Sequence, residues 1–317
     1  MADTVELPVQ RRPRHTEPAT VKRPKENLVA YLFLAPWFAG LLLLTAGPIL
    51  ASLYLSFTDF DLLTAPRWTG VDNYRRFASD PHFHNALRVT FVYVFVSVPL
   101  VVASALVVAV LLSGRRRGSG AYRSAYYLPS LLGGSVAVSV MWRQIFGDDG
   151  LVNRVLGLAG ITGPSWISTP DYAVYTLVIL HVWQFGSPML IFLAGLKQIP
   201  RELHEAAAVD GAGPLRRFVT VTVPLLTPLI FFNLVLQTIN SFKAFTPAFI
   251  ISGGHGGPAD ATLFYTLYLY QEGFAHFRMG YASAMAWALL IVIALFTAGM
   301  FATSRYWVYY ADREGPL

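Results

Sequence analysis

Residues 199–225 read IPRELHEAAAVDGAGPLRRFVTVTVPL, a polar and charged stretch between two long apolar runs. Pro200 suits the first position of a helix, and Glu202 suits its first turn, where the helix dipole favours negative charge. Ala206, Ala207 and Ala208 are the strongest helix formers. Gly211 is placed to end that helix in a left-handed cap, and Gly213-Pro214 forces a second break. Arg216 and Arg217 then lead into an apolar run carrying Pro224 and Pro228. The stretch therefore predicts a short helix, a glycine turn and a second helix entering a membrane. Such a rigid helix between two spans can carry force from something outside the bilayer.

Composition agrees with a membrane setting. Of 317 residues, 55% are hydrophobic and only 13% charged, against roughly 25% charged in soluble domains. The net charge of +6 does not point to nucleic acid, because the basic residues sit beside apolar segments, where they set topology. The chain has no cysteine, which excludes disulfides, thiol chemistry and cysteine-ligated metals. No cleavable signal peptide is expected, since the first apolar run begins late and is too long for one.

Outward from residues 199–225, six spans are expected, near residues 28–57, 89–113, 124–146, 172–196, 218–242 and 281–304. Each is long enough for a hydrocarbon core of about 30 Å. Residues 1–27 are polar and basic and predict a disordered cytoplasmic tail. Residues 28–310 form the transmembrane domain, and 311–317 a short tail. Residues 147–171 predict an external segment with a short interfacial helix on Leu151, Val155 and Leu158. Residues 243–280 predict an external loop, flexible around Gly253–Gly257. With both termini inside, sixteen Lys and Arg fall on the inner side and eight on the outer. The positive-inside rule supports that orientation, and it places residues 199–217 in the cytoplasm.

Glu205-Ala206-Ala207, Asp210-Gly211-Ala212 and Pro224 resemble the EAA loop of ABC importer permeases, with MalF-like carbohydrate permeases the nearest likeness. Residues 241–247, 257–265 and 278–282 resemble the same permeases, so the likeness covers roughly 28–310. The resemblance implies an all-α membrane protein with a six-helix type I ABC importer permease fold in a bacterial cell membrane. It implies a coupling helix at 199–217, in which Leu203, Glu205, Ala206, Ala207, Asp210, Gly211 and Ala212 meet an ATPase subunit. The implied partners are two ATPase subunits carrying ATP and Mg, a second permease chain, an extracytoplasmic solute-binding protein and a sugar. A glycerophosphodiester or other polyol-like substrate is the alternative within the superfamily.

The residues themselves limit the chemistry. No GxxxxGK[ST] phosphate-binding loop occurs, so ATP hydrolysis belongs to another chain. The expected spans hold no Asp or Glu. Intramembrane carboxylates are characteristic of ion-coupled carriers, so a secondary carrier is the weaker reading. His82 and His84 have no companion ligands nearby and read as surface residues rather than a metal site. Asp148 and Asp149 are adjacent and read as a solvated turn rather than a catalytic pair. In the fifth span Asn233, Gln237 and Asn240 share one helix face, with Ser241 beside them. The fourth adds His181, Trp183 and Gln184. Amides bond sugar hydroxyls in pairs, and an aromatic face receives the ring's C–H surface. Buried amides also join helices. Asn233, Gln237, Asn240, Ser241, Trp183 and Gln184 are thus the candidate substrate contacts, with helix packing as the other role.

Overall fold

The computed structural model describes residues 24–114 and 119–309. Most of the expected N-terminal tail, Arg115–Arg117 and the expected C-terminal tail lie outside those residues.

The chain divides into two units at Ala51. The first holds α1 (Pro24–Leu41), a π turn (Leu42–Ala46) and most of α2 (Gly47–Leu55). Together they give an apolar helix over Tyr31–Leu55, long enough to span a membrane. The helix begins at Pro24, ahead of the expected start.

In the second unit the segment after the first apolar helix is a small ordered cap. β1 (Thr58–Asp59) pairs antiparallel with β2 (Arg67–Trp68), and α3 (Asp72–Arg76) follows. Asn73 Nδ2 donates to the carbonyls of Ser56 and Thr58 at 3.0 and 2.9 Å. These bonds satisfy backbone groups that a two-residue ribbon leaves open.

α4 (Pro81–Ser113) is the axis of the unit. Its start is set by the Asp80 side chain, which accepts from the N–H groups of His82 and Phe83, and by Pro81 in the first turn. Its 33 residues extend about 50 Å at 1.5 Å per residue. Beyond it lie α5 (Ser119–Leu132), α6 (Val136–Ile145), α7 (Leu151–Leu158), α8 (Pro170–Trp183) and α9 (Gly186–Gln198). Ala105 and Ala109 of α4 are fully buried, and the same cluster holds Met189 and Phe192 of α9. Small residues let membrane helices approach closely.

Six spans were expected. Among the described residues four helices are long and apolar enough to cross, or five if α8 and α9, bent by 41°, count as one. The expected third span is instead α5 and α6, separated at Gly133-Gly134. Two adjacent glycines remove side-chain support, and Ser135 Oγ starts α6 by accepting from Val138 N at 3.3 Å. The two breaks satisfy each other. Ser130 Oγ donates to Gln184 O at 2.7 Å and accepts from Ser187 N at 3.0 Å. Gln184 Nε2 donates to Gly133 O at 3.1 Å. Broken helices are tolerated in a membrane only where such partners replace the lost bonds.

At Gly186 a Cβ would lie 2.6 Å from Tyr126 O and 2.8 Å from Tyr127 Cα. Those are backbone atoms of α5 and cannot swing aside. Gly186→Ala is expected to destabilise by about 1–3 kcal/mol through overpacking, read as a lower melting temperature in detergent. Gly157→Ala, with nothing within 4 Å, is the control and should be neutral or stabilising.

After α9 come α10 (Arg201–Val209), α11 (Pro214–Arg217), a π turn (Phe218–Thr222) and α12 (Val223–Phe242). α13 (Thr246–Ile251), α14 (Tyr265–Tyr270), a π turn (Gln271–Ala275) and α15 (Met279–Trp307) complete the unit. Part of the expected external loop at 243–280 sinks into the core. Leu263, Phe264, Tyr265 and Leu267 are at most 2% exposed. Tyr265 N donates to Thr90 Oγ1 at 2.8 Å, and Tyr265 Oη donates to Met285 O at 2.9 Å. Gly253, Gly254 and Gly256 have positive φ, a conformation glycine adopts readily in turns.

Candidate functional site

The loop between α9 and α12 folds as its residues predict, with one shift. Pro200 is the N-cap, and Arg201 begins the helix. Glu202 lies in its first turn. The helix closes on Gly211, whose φ is +78°. Gly211 N donates to Ala208 O at 3.1 Å and Ala212 N to Ala207 O at 2.9 Å, so the last carbonyls are satisfied.

One side of α10 turns inward, with His204 and Ala207 half-buried. The other side, with Leu203, Glu205, Ala206 and Val209, is exposed. Val209 is 88% exposed and Leu215 of α11 76%. Glu205 forms no ion pair among the described residues. Apolar side chains thus stay exposed on a charged loop beside a carboxylate that makes no ion pair among the described residues.

The candidate substrate residues do not gather in one cavity. Asn233 is fully buried and donates Nδ2 to Leu229 O of its own helix at 2.9 Å. Gln184 is bonded to the break at Gly133, as above. Asn233 thus bonds only its own helix, while Gln184 joins two helix breaks. Asn240 is exposed and Trp183 half-buried, its ring 5.7 Å from Trp142. Gln237 and Ser241 do converge, on His181. Gln237 Oε1 lies 3.2 Å from His181 Nε2, and Ser241 Oγ lies 3.5 Å from Nδ1. Tyr93 of α4 stacks on the imidazole at 5.8 Å. Tyr93 carries no sequence signal, being one aromatic in an apolar helix.

A second polar cluster lies at the start of α4, on the face opposite α10. Asp80 Oδ2 accepts from Tyr268 Oη at 2.6 Å and Tyr281 Oη at 2.7 Å. Burial opposes the charged form of Asp80. The hydrogen bonds from both tyrosines and from the N–H groups of Phe83 and His82 outweigh it, so the carboxyl titrates below its ordinary value. Burial first, and then the Asp80 carboxylate, raise the Tyr268 phenol and keep it a donor. Arg76 lies over the Tyr281 ring at 4.5 Å. This cluster joins residues 201 positions apart, which no local pattern signals. Among the described residues no group of three His, Asp or Glu forms a metal site.

The chain is a helical membrane fold with an exposed helix–glycine turn between two apolar helices. Residues 82–307 match the binding-protein-dependent transport system inner membrane component family, and the chain belongs to it. It is a permease subunit of an ABC transport system and not itself an enzyme. It is 53% identical over 92% of its length, and 94% of the relative's, to the probable ABC transporter permease protein YesP of Bacillus subtilis (strain 168). It is 32% identical to the lactose transport system permease protein LacF of Rhizobium radiobacter, covering 87% of this chain and 93% of that one. Its fold is that of a chain in the crystal structure of a bacterial alginate ABC transporter in complex with an alginate pentasaccharide-bound periplasmic protein. The TM-score is 0.76 at 19% identity, over 89% of this chain and 95% of that one. The fold is thus type I-like among ABC importer permeases.

Proposed function

We propose that this chain is one transmembrane subunit of an ATP-driven importer for a sugar or polyol-like solute. The observation that carries the reading is the exposed face of α10, closed by Gly211 and presenting Leu203, Glu205, Ala206 and Val209. In this reading that face docks on a separate ATPase chain. Two ATPase subunits, a second permease and an extracytoplasmic binding protein complete the complex. The relatives support the substrate class. They include permeases named for lactose, trehalose/maltose and sulfoquinovosyl glycerol.

Both termini are cytoplasmic in this reading, and the broken pair α5–α6 is the sixth crossing. ATP binding closes the ATPase dimer and draws α10 with it. The helices around α4 then rock between inward-facing and outward-facing arrangements, a rigid-body motion on the microsecond-to-second scale. Co-purification of the tagged chain in mild detergent tests the assembly. An ATPase and a second permease should accompany it, and recovery of the chain alone would remove the reading.

The solute contacts proposed are Gln237, Asn240, Ser241 and Trp183, with His181 orienting Gln237. Gln237→Ala removes the partner of a half-buried imidazole, an effect of about 1–3 kcal/mol. Uptake is expected to fall about tenfold while the complex still assembles. Wild-type uptake kinetics in Gln237→Ala and Asn240→Ala together would exclude this face from the path.

A further inference from the structure

A cavity of about 310 Å³ opens beside the start of α4. Its wall carries three carboxylates, Asp80, Asp260 and Glu272, and two guanidinium groups, Arg76 and Arg278. The carboxylates are not equivalent. Asp80 is saturated by its four hydrogen bonds. Asp260 sits at the rim, with its side chain 36% exposed and Oδ2 3.1 Å from His82 Nδ1. Its backbone is left-handed, with φ +57°, and its carbonyl accepts from Asn85 Nδ2 at 2.9 Å, so its position is fixed.

Glu272 is the anomaly. It is 1% exposed. Its Oε1 accepts from Arg278 Nη2 at 2.6 Å and lies 3.0 Å from His276 Nδ1. Its Oε2 is equally buried and has no donor among the described residues. Leaving a buried charged acceptor unmet costs more than the about 1–3 kcal/mol of a neutral one, so a site built this way gains by admitting a donor. Arg278 Nε is also without a partner, so the existing guanidinium does not close the site. No metal-ligating set forms there among the described residues. The unmet need is a donor, since Oε2 lacks an N–H or O–H partner.

We propose that this cavity receives a lysine or arginine side chain of the extracytoplasmic binding protein, held between Glu272 at the base and Asp260 at the rim. The inference rests on the importer reading, which puts this face outside the cell. A single buried cation between two carboxylates would fix the docked orientation, since a charge pair that loses water gains specificity.

The test uses the reconstituted complex and the binding protein that stimulates its ATPase. Wild-type stimulation tests the importer reading alone. Given that stimulation, Glu272→Gln should raise the half-saturating concentration of binding protein by roughly tenfold or more. Asp260→Asn, at the exposed rim, should raise it about threefold. Asp260→Asn keeps the proposal testable if Glu272→Gln fails to assemble. In a scan of the binding protein's Lys and Arg to Glu, one substitution should lose stimulation with wild type and recover it with Asp260→Lys. Unchanged half-saturation in Asp260→Asn, or no basic residue that couples to Asp260, would overturn the proposal. So would a structure of the docked complex with only water between Glu272 Oε2 and Arg278 Nε.

Discussion

Gly211→Asp and Glu205→Ala are each expected to uncouple ATP hydrolysis from uptake while the chain folds and enters the membrane. The grounds are local. Gly211 sits at φ +78° with nothing within 4 Å of an added Cβ, so space does not limit substitution there. Conformation and surface charge do. Aspartate tolerates the left-handed region better than most residues, so Gly211→Asp keeps the turn and adds a carboxylate beside Asp210. Gly211→Val places a β-branched residue where it is a genuine outlier, and so deforms the turn itself. Glu205→Ala replaces an exposed side chain with a better helix former, leaving α10 intact without its carboxylate. Uptake should fall at least about tenfold in all three, equivalent to about 1.4 kcal/mol of lost coupling. Basal ATPase per complex and uptake in vesicles separate the cases. Damage from Gly211→Val alone would mean that turn shape, and not the surface, couples the two chains. Normal uptake in all three would remove α10 as the coupling element.

The largest loss of stability is expected at Asp80. Asp80→Ala removes the N-cap of α4, worth about 0.5–2 kcal/mol. It also strands the buried hydroxyls of Tyr268 and Tyr281, at about 1–3 kcal/mol each. These effects share one carboxylate and do not simply add. A net cost near 3 kcal/mol, or a melting temperature roughly 5–10 °C lower in detergent, is the expected result. Tyr268→Phe and Tyr281→Phe should each cost less, and each should be nearly silent in the Asp80→Ala background. The pH dependence follows from the lowered carboxyl. Its folded-state value lies below the ordinary 3.8, so its stabilisation is complete above that value. It is lost as pH falls through the folded value. Asp80→Ala should therefore flatten the acid limb of the wild-type stability curve. An unchanged melting temperature would show that the cap at the start of α4 holds without this network.

The sequence alone determined the membrane class, the principal apolar helices and the shape of residues 199–217. Hydropathy, helix propensity and a glycine cap act over neighbouring residues, so they are written locally. Val209 and Leu215 stay exposed in the fold, because nothing else in the described chain covers them. What sequence reading missed arises from distant pairings. Gly133-Gly134 gives notice of a weak point in the third apolar run, but only the opposing break at Gln184 supplies the partners that hold the two bent segments together. Glycine-rich residues 253–257 suggest flexibility, yet Tyr265 is pinned between Thr90 and Met285, and its hydrophobic neighbours sink into the bundle. The regular spacing of Asn233, Gln237 and Asn240 places them on one face of α12, but it cannot say what each amide meets. That was decided by the neighbouring helices, which gave Gln237 an imidazole and left Asn233 to its own backbone. Asp80, Tyr268 and Tyr281 have no local signature at all. A carboxylate and two phenols become a network only when tertiary packing brings the two ends of the second unit together and excludes water from the space between them.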